Sequence, residues 1–134
     1  MKKDIEIVEV KDVYIAAIRD EEADMQWSVY LLNDKDVLIE GVMITSRGYD
    51  VSPEGAMIPK TTQFRHAVGH VPAKSMAKVE VISPDVFELF NEFWVTFFEA
   101  GALMEKRFTF GPHTIDAEFE EDLPGGKHKG IIVK

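Results

Sequence analysis

The chain has 134 residues, a formal net charge of −9 at pH 7 and no cysteine. Without cysteine, disulfide bonds, thiolate catalysis and cysteine-based zinc sites are excluded. The acidic balance argues against broad binding to phosphate backbones, which proteins achieve with clustered lysine and arginine. A nucleic acid is therefore not an expected partner.

The length predicts a single domain over residues 1–134, because domains cluster near about 100–150 residues. The first residues, Met1 to Ile7, contain no apolar run as long as that of a signal peptide or a membrane span. We therefore expect a cytoplasmic protein without membrane contact.

The first half of the chain alternates apolar and polar residues in short runs, which is typical of β-strands. An arm over residues 1–12 precedes a strand over 13–18, and an acidic loop over 20–24 follows. The next two runs, Trp27–Asn33 and Val37–Thr45, are separated by asparagine and aspartate residues that favour a turn. This pattern predicts a hairpin between the two runs.

Glycine, proline and serine interrupt the alternation in the middle of the chain. Gly41 predicts a bulge within its strand. Residues 51–62 contain two prolines and predict a loop, and Met76–Ile82 alternates again as a strand. Ser83 is placed to cap a short helical turn over residues 85–89.

Residues 91–110 contain five of the nine phenylalanines and predict a hairpin that turns at Ala100-Gly101. Only a register with an even-length loop, in which Phe97 faces Met104, groups the apolar residues on one face. Gly101 is then expected to have a positive φ. The predicted core residues of this hairpin, among which Lys106 is the one charged exception, are Phe93, Val95, Phe97, Met104, Phe108 and Phe110.

The second face of this hairpin is also apolar, since it carries Trp94, Phe98 and Leu103. A strand that is apolar on both faces is either covered on both sides or carries a binding surface on one of them. Arg107 lies opposite Trp94 in the predicted register, which allows a cation–π contact. Trp94, Phe98 and Leu103 are therefore the candidate interaction face for a protein partner or a second copy of the chain.

After Phe110 the apolar pattern weakens, and residues 111–134 predict a less regular tail with acidic and basic clusters. Within it, residues 131–133 either add a last strand or remain outside the fold. About seven strands without a long helix predict an all-β fold, an immunoglobulin- or fibronectin-like β-sandwich. A small β-barrel is the alternative.

Two polar clusters are candidates for a small-molecule or anion site. Arg47, Tyr49 and Asp50 end one strand, and Arg65 and His66 lie in another. Guanidinium groups bind anions well, although an internal arginine–aspartate pair and hydrogen bonds to neighbouring strands are the alternatives. No nucleophile elbow, phosphate loop or metal-binding spacing occurs in the sequence, so we expect no catalysis, no cofactor and no metal.

Three passages together resemble a family of small bacterial proteins labelled as phenylalanyl-tRNA synthetase subunits. They read Val-Met-Ile-Thr-Ser-Arg-Gly-Tyr-Asp over 42–50, Arg-His-Ala-Val-Gly and onward over 65–80, and Asn-Glu-Phe-Trp-Val-Thr-Phe-Phe and onward over 91–108. The resemblance covers most of residues 13–110 and implies a role associated with tRNA or with the synthetase. The chain is too short for a class II catalytic domain and lacks its arginine-bearing ATP motifs, so the implied role is that of an accessory protein.

The leading hypothesis is therefore a non-catalytic binding domain with an unknown protein partner. The alternatives are a ligand site around Arg47, Asp50, Arg65 and His66, and a synthetase-associated accessory protein.

Overall fold

The structure of the chain, a computed structural model, describes residues 9–22 and 26–134. Two antiparallel sheets enclose one core, so the predicted β-sandwich is confirmed. Over these described residues the sheets contain ten strands rather than about seven, and they do not close into a small barrel. Residues 1–8 of the predicted arm and residues 23 and 24 of the predicted acidic loop lie outside the described residues. The strands are β1 (Val13–Asp20), β2 (Gln26–Asn33), β3 (Ile39–Val51), β4 (Met57–Pro59), β5 (Phe64–Val71), β6 (Ser75–Ile82), β7 (Phe90–Glu99), β8 (Ala102–Phe110), β9 (Glu121–Asp122) and β10 (Lys129–Val133).

The first sheet has the strand order β6-β2-β1-β10-β9. The second sheet is centred on β3, which pairs with β7 on one side and with β5 and β4 on the other, while β8 follows β7. Two 3-10 helices, Pro84–Val86 and Ala117–Phe119, complete the described structure. The Ser83 hydroxyl accepts a hydrogen bond from the Asp85 N–H at 3.3 Å, so the predicted cap is confirmed on a single helical turn.

The core lies between the inward faces of the two sheets and is built by alternate residues of each strand. Burying such side chains contributes roughly 1.5–3 kcal/mol each relative to leaving them exposed. The largest fully buried side chains are Val13, Ile15, Val29, Leu31, Ile39, Val42, Ile44, Val71, Phe93, Phe97, Phe108 and Phe110.

The β7–β8 hairpin has the register that the sequence predicts. Phe97 pairs with Met104, and the six predicted core residues of this hairpin are at most 7% exposed. Gly101 has a φ of +81°, as expected, and Ala100 also has a positive φ of +50°. Lys106 points inward and is half-buried, with its Nζ 5.2 Å from the centroid of the Phe108 ring.

The predicted hairpin between β2 and β3 is wrong. β2 pairs with β1 and β6 in the first sheet, whereas β3 belongs to the second sheet. After β2 the chain therefore passes from the first sheet to the second. Asn33 fixes this connection, because its side chain is buried and its Nδ2 donates to the carbonyl oxygens of Val37, Val71 and Pro72 at 2.9, 3.1 and 3.0 Å. The local pattern predicted a turn, but it did not reveal that the turn is bonded to a loop 38 residues away.

Two segments are more regular than the sequence pattern indicated. Part of the predicted loop over 51–62 folds back on β3 as β4. The segment after Phe110 contains β10, which lies between β1 and β9 inside the first sheet. Gly130 fits closely there, since a Cβ on it would lie 2.5 Å from the Ala17 carbonyl oxygen.

Gly41 interrupts both ladders of β3, so the predicted bulge is confirmed. Its φ is +58°, and the register with β5 and with β7 shifts at this point. Beyond the bulge, Val42 and Ile44 point into the core, and Met43 between them points outward. The bulge thereby sets which side chains of β3 are presented on the surface of the second sheet.

Candidate functional site

The outward side chains of the second sheet form a surface that we call the aromatic–arginine face. Directly opposed residues of antiparallel strands share a face, so the strand registers assign its members. They are Glu40, Met43, Thr45, Arg47, Tyr49 and Val51 of β3, Met57 and Pro59 of β4, Arg65 and Ala67 of β5, Phe90, Glu92, Trp94, Thr96 and Phe98 of β7, and Leu103, Glu105, Arg107 and Thr109 of β8.

Aromatic rings and arginines pack against each other across the strands of this face. The Tyr49 and Phe90 rings are stacked, with centroids 5.2 Å apart and an interplanar angle of 8°. The guanidinium of Arg107 lies 4.8 Å from the Trp94 ring centroid, so the predicted cation–π contact is present. These contacts hold planar side chains in defined orientations on the surface of the second sheet.

An ion pair at the centre of the face joins β3 to β7. The Arg47 guanidinium lies 3.2 Å from Glu92 Oε1, and Glu92 is only 8% exposed. Glu92 is therefore a nearly buried carboxylate that depends on Arg47 for compensation. Within the described part of the chain, Arg65 and Arg107 form no ion pair, and their guanidinium groups remain available.

Large apolar side chains are exposed at both ends of the face. Phe98 is 46% exposed and its cross-strand partner Leu103 is 63% exposed, with Met43 nearby on β3. Of the eleven large hydrophobic residues exposed over 9–22 and 26–134, five lie on this face. Trp94 is half-buried beneath Arg107. Phe98 and Leu103 thus remain accessible, whereas Trp94 is partly covered within the chain itself.

The face is electrically balanced in a strongly acidic protein. Its three arginines are offset by three glutamates, so its formal charge is 3 − 3 = 0 in a chain whose formal net charge is −9. Three of the four arginines lie on the face, while none of the nine lysines within residues 9–22 and 26–134 does. Arginine, methionine and aromatic residues are enriched in protein–protein interfaces, and lysine is depleted.

The polar cluster predicted from sequence is divided between two faces. Arg47, Tyr49 and Arg65 belong to the aromatic–arginine face, whereas Asp50 and His66 point to the opposite side of the sheet. Asp50 accepts the N–H of the next residue at 2.9 Å, with no role towards Arg47. The arrangement does not support one ligand site at these five residues.

His66 instead links the two sheets where β5 lies beside β6. Its Nε2 lies 3.0 Å from Glu80 Oε1, which joins β5 of the second sheet to β6 of the first. Both side chains are about one-quarter exposed or less, at 25% and 21%. The contact therefore serves the architecture of the sandwich.

A recess of about 70 Å³ lies at the centre of the aromatic–arginine face, between Arg47, Trp94 and Arg107. Pockets for small molecules usually measure about 300–1,000 Å³. The recess is too small to enclose such a ligand, but it can receive one side chain from a protein surface.

Sequence reasoning assigned Trp94, Phe98 and Leu103 to the face but overlooked Met43 and Phe90. The strand alternation places both on this face, because Met43 lies four residues from Arg47 in β3 and Phe90 lies four residues from Trp94 in β7. This assignment also requires the pairing of β3 with β7, which the sequence did not show.

No protein-family model matches the chain, and no curated protein matches it. In the described ranges, no helix has the length and apolarity needed to cross a membrane. Over the same residues, no three histidine, aspartate or glutamate side chains are grouped so that they could hold a metal ion.

Proposed function

We propose that the protein is a non-catalytic binding domain that contacts another protein through the aromatic–arginine face. The observation that carries this proposal is the composition of the face, which is neutral, free of lysine and rich in arginine and aromatic residues within a chain of net charge −9. Binding hot spots are enriched in tryptophan, tyrosine and arginine. The geometry adds accessible apolar anchors at Phe98 and Leu103.

The neutral charge of the face favours contact with a protein that is itself acidic, including a second copy of the chain. Like-charged surfaces repel each other, and this repulsion opposes association. On the aromatic–arginine face the paired arginines and glutamates remove that repulsion locally. Association through any strongly acidic part of the surface would not have this advantage.

The test compares two double variants with matched chemistry. Phe98→Ser with Leu103→Ser removes the anchors of the face, whereas Val81→Ser with Phe119→Ser removes exposed apolar side chains elsewhere. Sedimentation equilibrium reports self-association, and co-purification from the native cell extract with mass spectrometry reports other proteins. We expect the first variant alone to lose the association, with a free energy of unfolding within about 1 kcal/mol of wild type. Equal binding by both variants would contradict the proposal.

A role associated with tRNA, as the resemblance of residues 42–50, 65–80 and 91–108 implies, is the second candidate. Arg107 lies over the Trp94 ring, and Arg65 lies on the same face. These groups favour the tRNA role, because bases stack on aromatic rings and guanidinium planes. The net charge of −9 opposes it.

Binding of total tRNA at low salt, followed by mobility shift, separates the two candidates. A shift that Arg65→Glu with Arg107→Glu abolishes would support the tRNA role. The absence of any shift at low salt would remove it and leave the protein partner.

A further inference from the structure

The first sheet carries a separate cavity on its surface away from the core. It has a volume of about 310 Å³ and lies between the end of β2, the start of β6 and the loop that joins β9 to β10. This volume falls at the lower end of the about 300–1,000 Å³ that is usual for ligand pockets. The cavity shares no residue with the aromatic–arginine face.

The floor of the cavity is apolar and preformed. Leu32 and Leu123 are 5% and 3% exposed, and they belong to a small hydrophobic cluster against which Met76 packs. The loop that supplies Leu123 is fixed by two hydrogen bonds, from the Leu123 N–H to the His128 carbonyl and from the Gly126 N–H to the Leu123 carbonyl, each 2.9 Å long. The floor therefore exists without a ligand to organise it.

The rim of the cavity is polar and includes two lysines, one histidine and one aspartate. Lys74 Nζ donates to the Asp34 carbonyl at 2.7 Å and lies 3.3 Å from the Asp34 carboxylate and 3.8 Å from that of Asp36, so its charge is already compensated. The hydrogen bond with Asp34 raises the pKa of Lys74. Lys127 and His128 also line the rim, and neither forms an ion pair within the described residues.

We propose that this cavity binds a small amphipathic anion. Its short apolar chain lies on Leu32, Met76 and Leu123, and its carboxylate or similar anionic head lies against Lys127 and His128. A charged hydrogen bond of this kind is stronger than a neutral one and fixes the orientation of the ligand. The cavity thus serves a function independent of the protein-binding face.

Titration of the ¹⁵N-labelled wild-type chain with octanoate tests the proposal, with octylammonium as a probe of equal apolar length and opposite charge. We expect saturable shifts centred on the amides of Gly125, Gly126 and Met76. Octylammonium should bind about tenfold more weakly, because it loses the charged contact. Equal affinities for the two probes, or octanoate shifts centred on Phe98 and Leu103, would overturn the proposal.

Variants then locate the two ends of the ligand. Lys127→Ala should weaken octanoate binding about tenfold, whereas Lys129→Ala, which removes a neighbouring lysine outside the cavity, should leave it unchanged. Met76→Glu places a carboxylate at the floor and should abolish binding, with the dispersion of the amide spectrum reporting that the chain is folded. Equal effects of the two lysine variants would contradict the assignment.

Discussion

Asn33 connects the two sheets through a single buried side chain. Replacing it with alanine removes the donor to three carbonyl groups and leaves the buried Val71 carbonyl without this partner. An unsatisfied buried polar group costs about 1–3 kcal/mol, so Asn33→Ala should lower the free energy of unfolding by about 2–4 kcal/mol, measured by urea denaturation.

The Asn33→Leu variant separates hydrogen bonding from packing, because leucine has a similar volume but no donor and no charge. A loss as large as that of the alanine variant would assign the effect to the hydrogen bonds. A near-neutral effect of Asn33→Leu would show that the three bonds contribute little.

Ala100 holds a left-handed backbone conformation in the β7–β8 turn, with a φ of +50°. Residues with a Cβ adopt this conformation at a cost of roughly 1–2 kcal/mol, whereas asparagine adopts it more readily. Ala100→Asn should therefore raise the free energy of unfolding by about 0.5–1 kcal/mol, seen as a higher urea midpoint at an unchanged m-value. Ala102→Gly, which follows in the strand, is the control and should destabilise.

Phe97 and Phe98 are adjacent in sequence but opposite in environment, at 0% and 46% exposed. Phe97→Ala should cost about 3–5 kcal/mol, because it opens a cavity in the core. Phe98→Ala should change the free energy of unfolding by less than about 1 kcal/mol, since little surface is removed from contact. Similar losses in the two variants, measured by chemical denaturation, would show that Phe98 is structural and would weaken the proposed interface.

Individual residues of the β7–β8 hairpin could be placed from the sequence because parity leaves only one register that groups the apolar residues on one face, with Lys106 as the single charged exception. The same parity divides the polar cluster, since Tyr49 and Asp50 are consecutive residues of one strand and must point to opposite faces. The positive φ of Ala100 could not be foreseen from alanine itself, which usually avoids it.

At the scale of elements, β8 is an edge strand whose inward face carries Lys106. Inward-pointing charges on edge strands prevent two sheets from joining edge to edge. Lys106→Val adds apolar surface on the core side but removes this charge. It should therefore increase concentration-dependent self-association, measured by light scattering.

Lys78→Val is the matched control, because Lys78 lies on the edge strand β6 but is exposed on the outward face. An equal increase in scattering for both variants would contradict the role of Lys106 in preventing edge-to-edge association. The same role would be contradicted if neither variant changed the scattering.

Strand identities were largely readable from the sequence, but apart from the β7–β8 hairpin the strand partners were not. Turn residues after Asn33 predict a change of direction, and both a hairpin and a crossing between sheets satisfy that pattern. The choice is made by contacts with the loop at Val71 and Pro72, which are distant in sequence. For the same reason the candidate site could be predicted only in part. Met43 and Phe90 share a face with Trp94 only because β3 pairs with β7.

On the scale of the whole molecule, β10 is an interior strand of the first sheet. It pairs with β1 on one side and β9 on the other, and Ile131 is 8% exposed. Deletion of residues 129–134 should abolish cooperative folding, detected as a loss of amide dispersion and of a sigmoidal urea transition. Deletion of Lys134 alone should preserve both.

A tolerated deletion of residues 129–134 would show that the first sheet is stable without its interior strand. The sequence could not decide this point, because a short apolar run after glycines is compatible with a strand or with an extension outside the fold.

The position of β10 also determines the order in which the sandwich can assemble. The second sheet draws all its strands from residues 39–110, and its widest pairing, Glu40 with Phe98, joins residues 98 − 40 = 58 positions apart. The first sheet is complete only when Val133 reaches Ile15, a separation of 133 − 15 = 118 residues. Closing so long a loop comes before its contacts are gained, and β-sandwiches dominated by such pairings fold in roughly milliseconds to seconds. We therefore expect the docking of β10 onto β1 to be a late step in the folding of this chain.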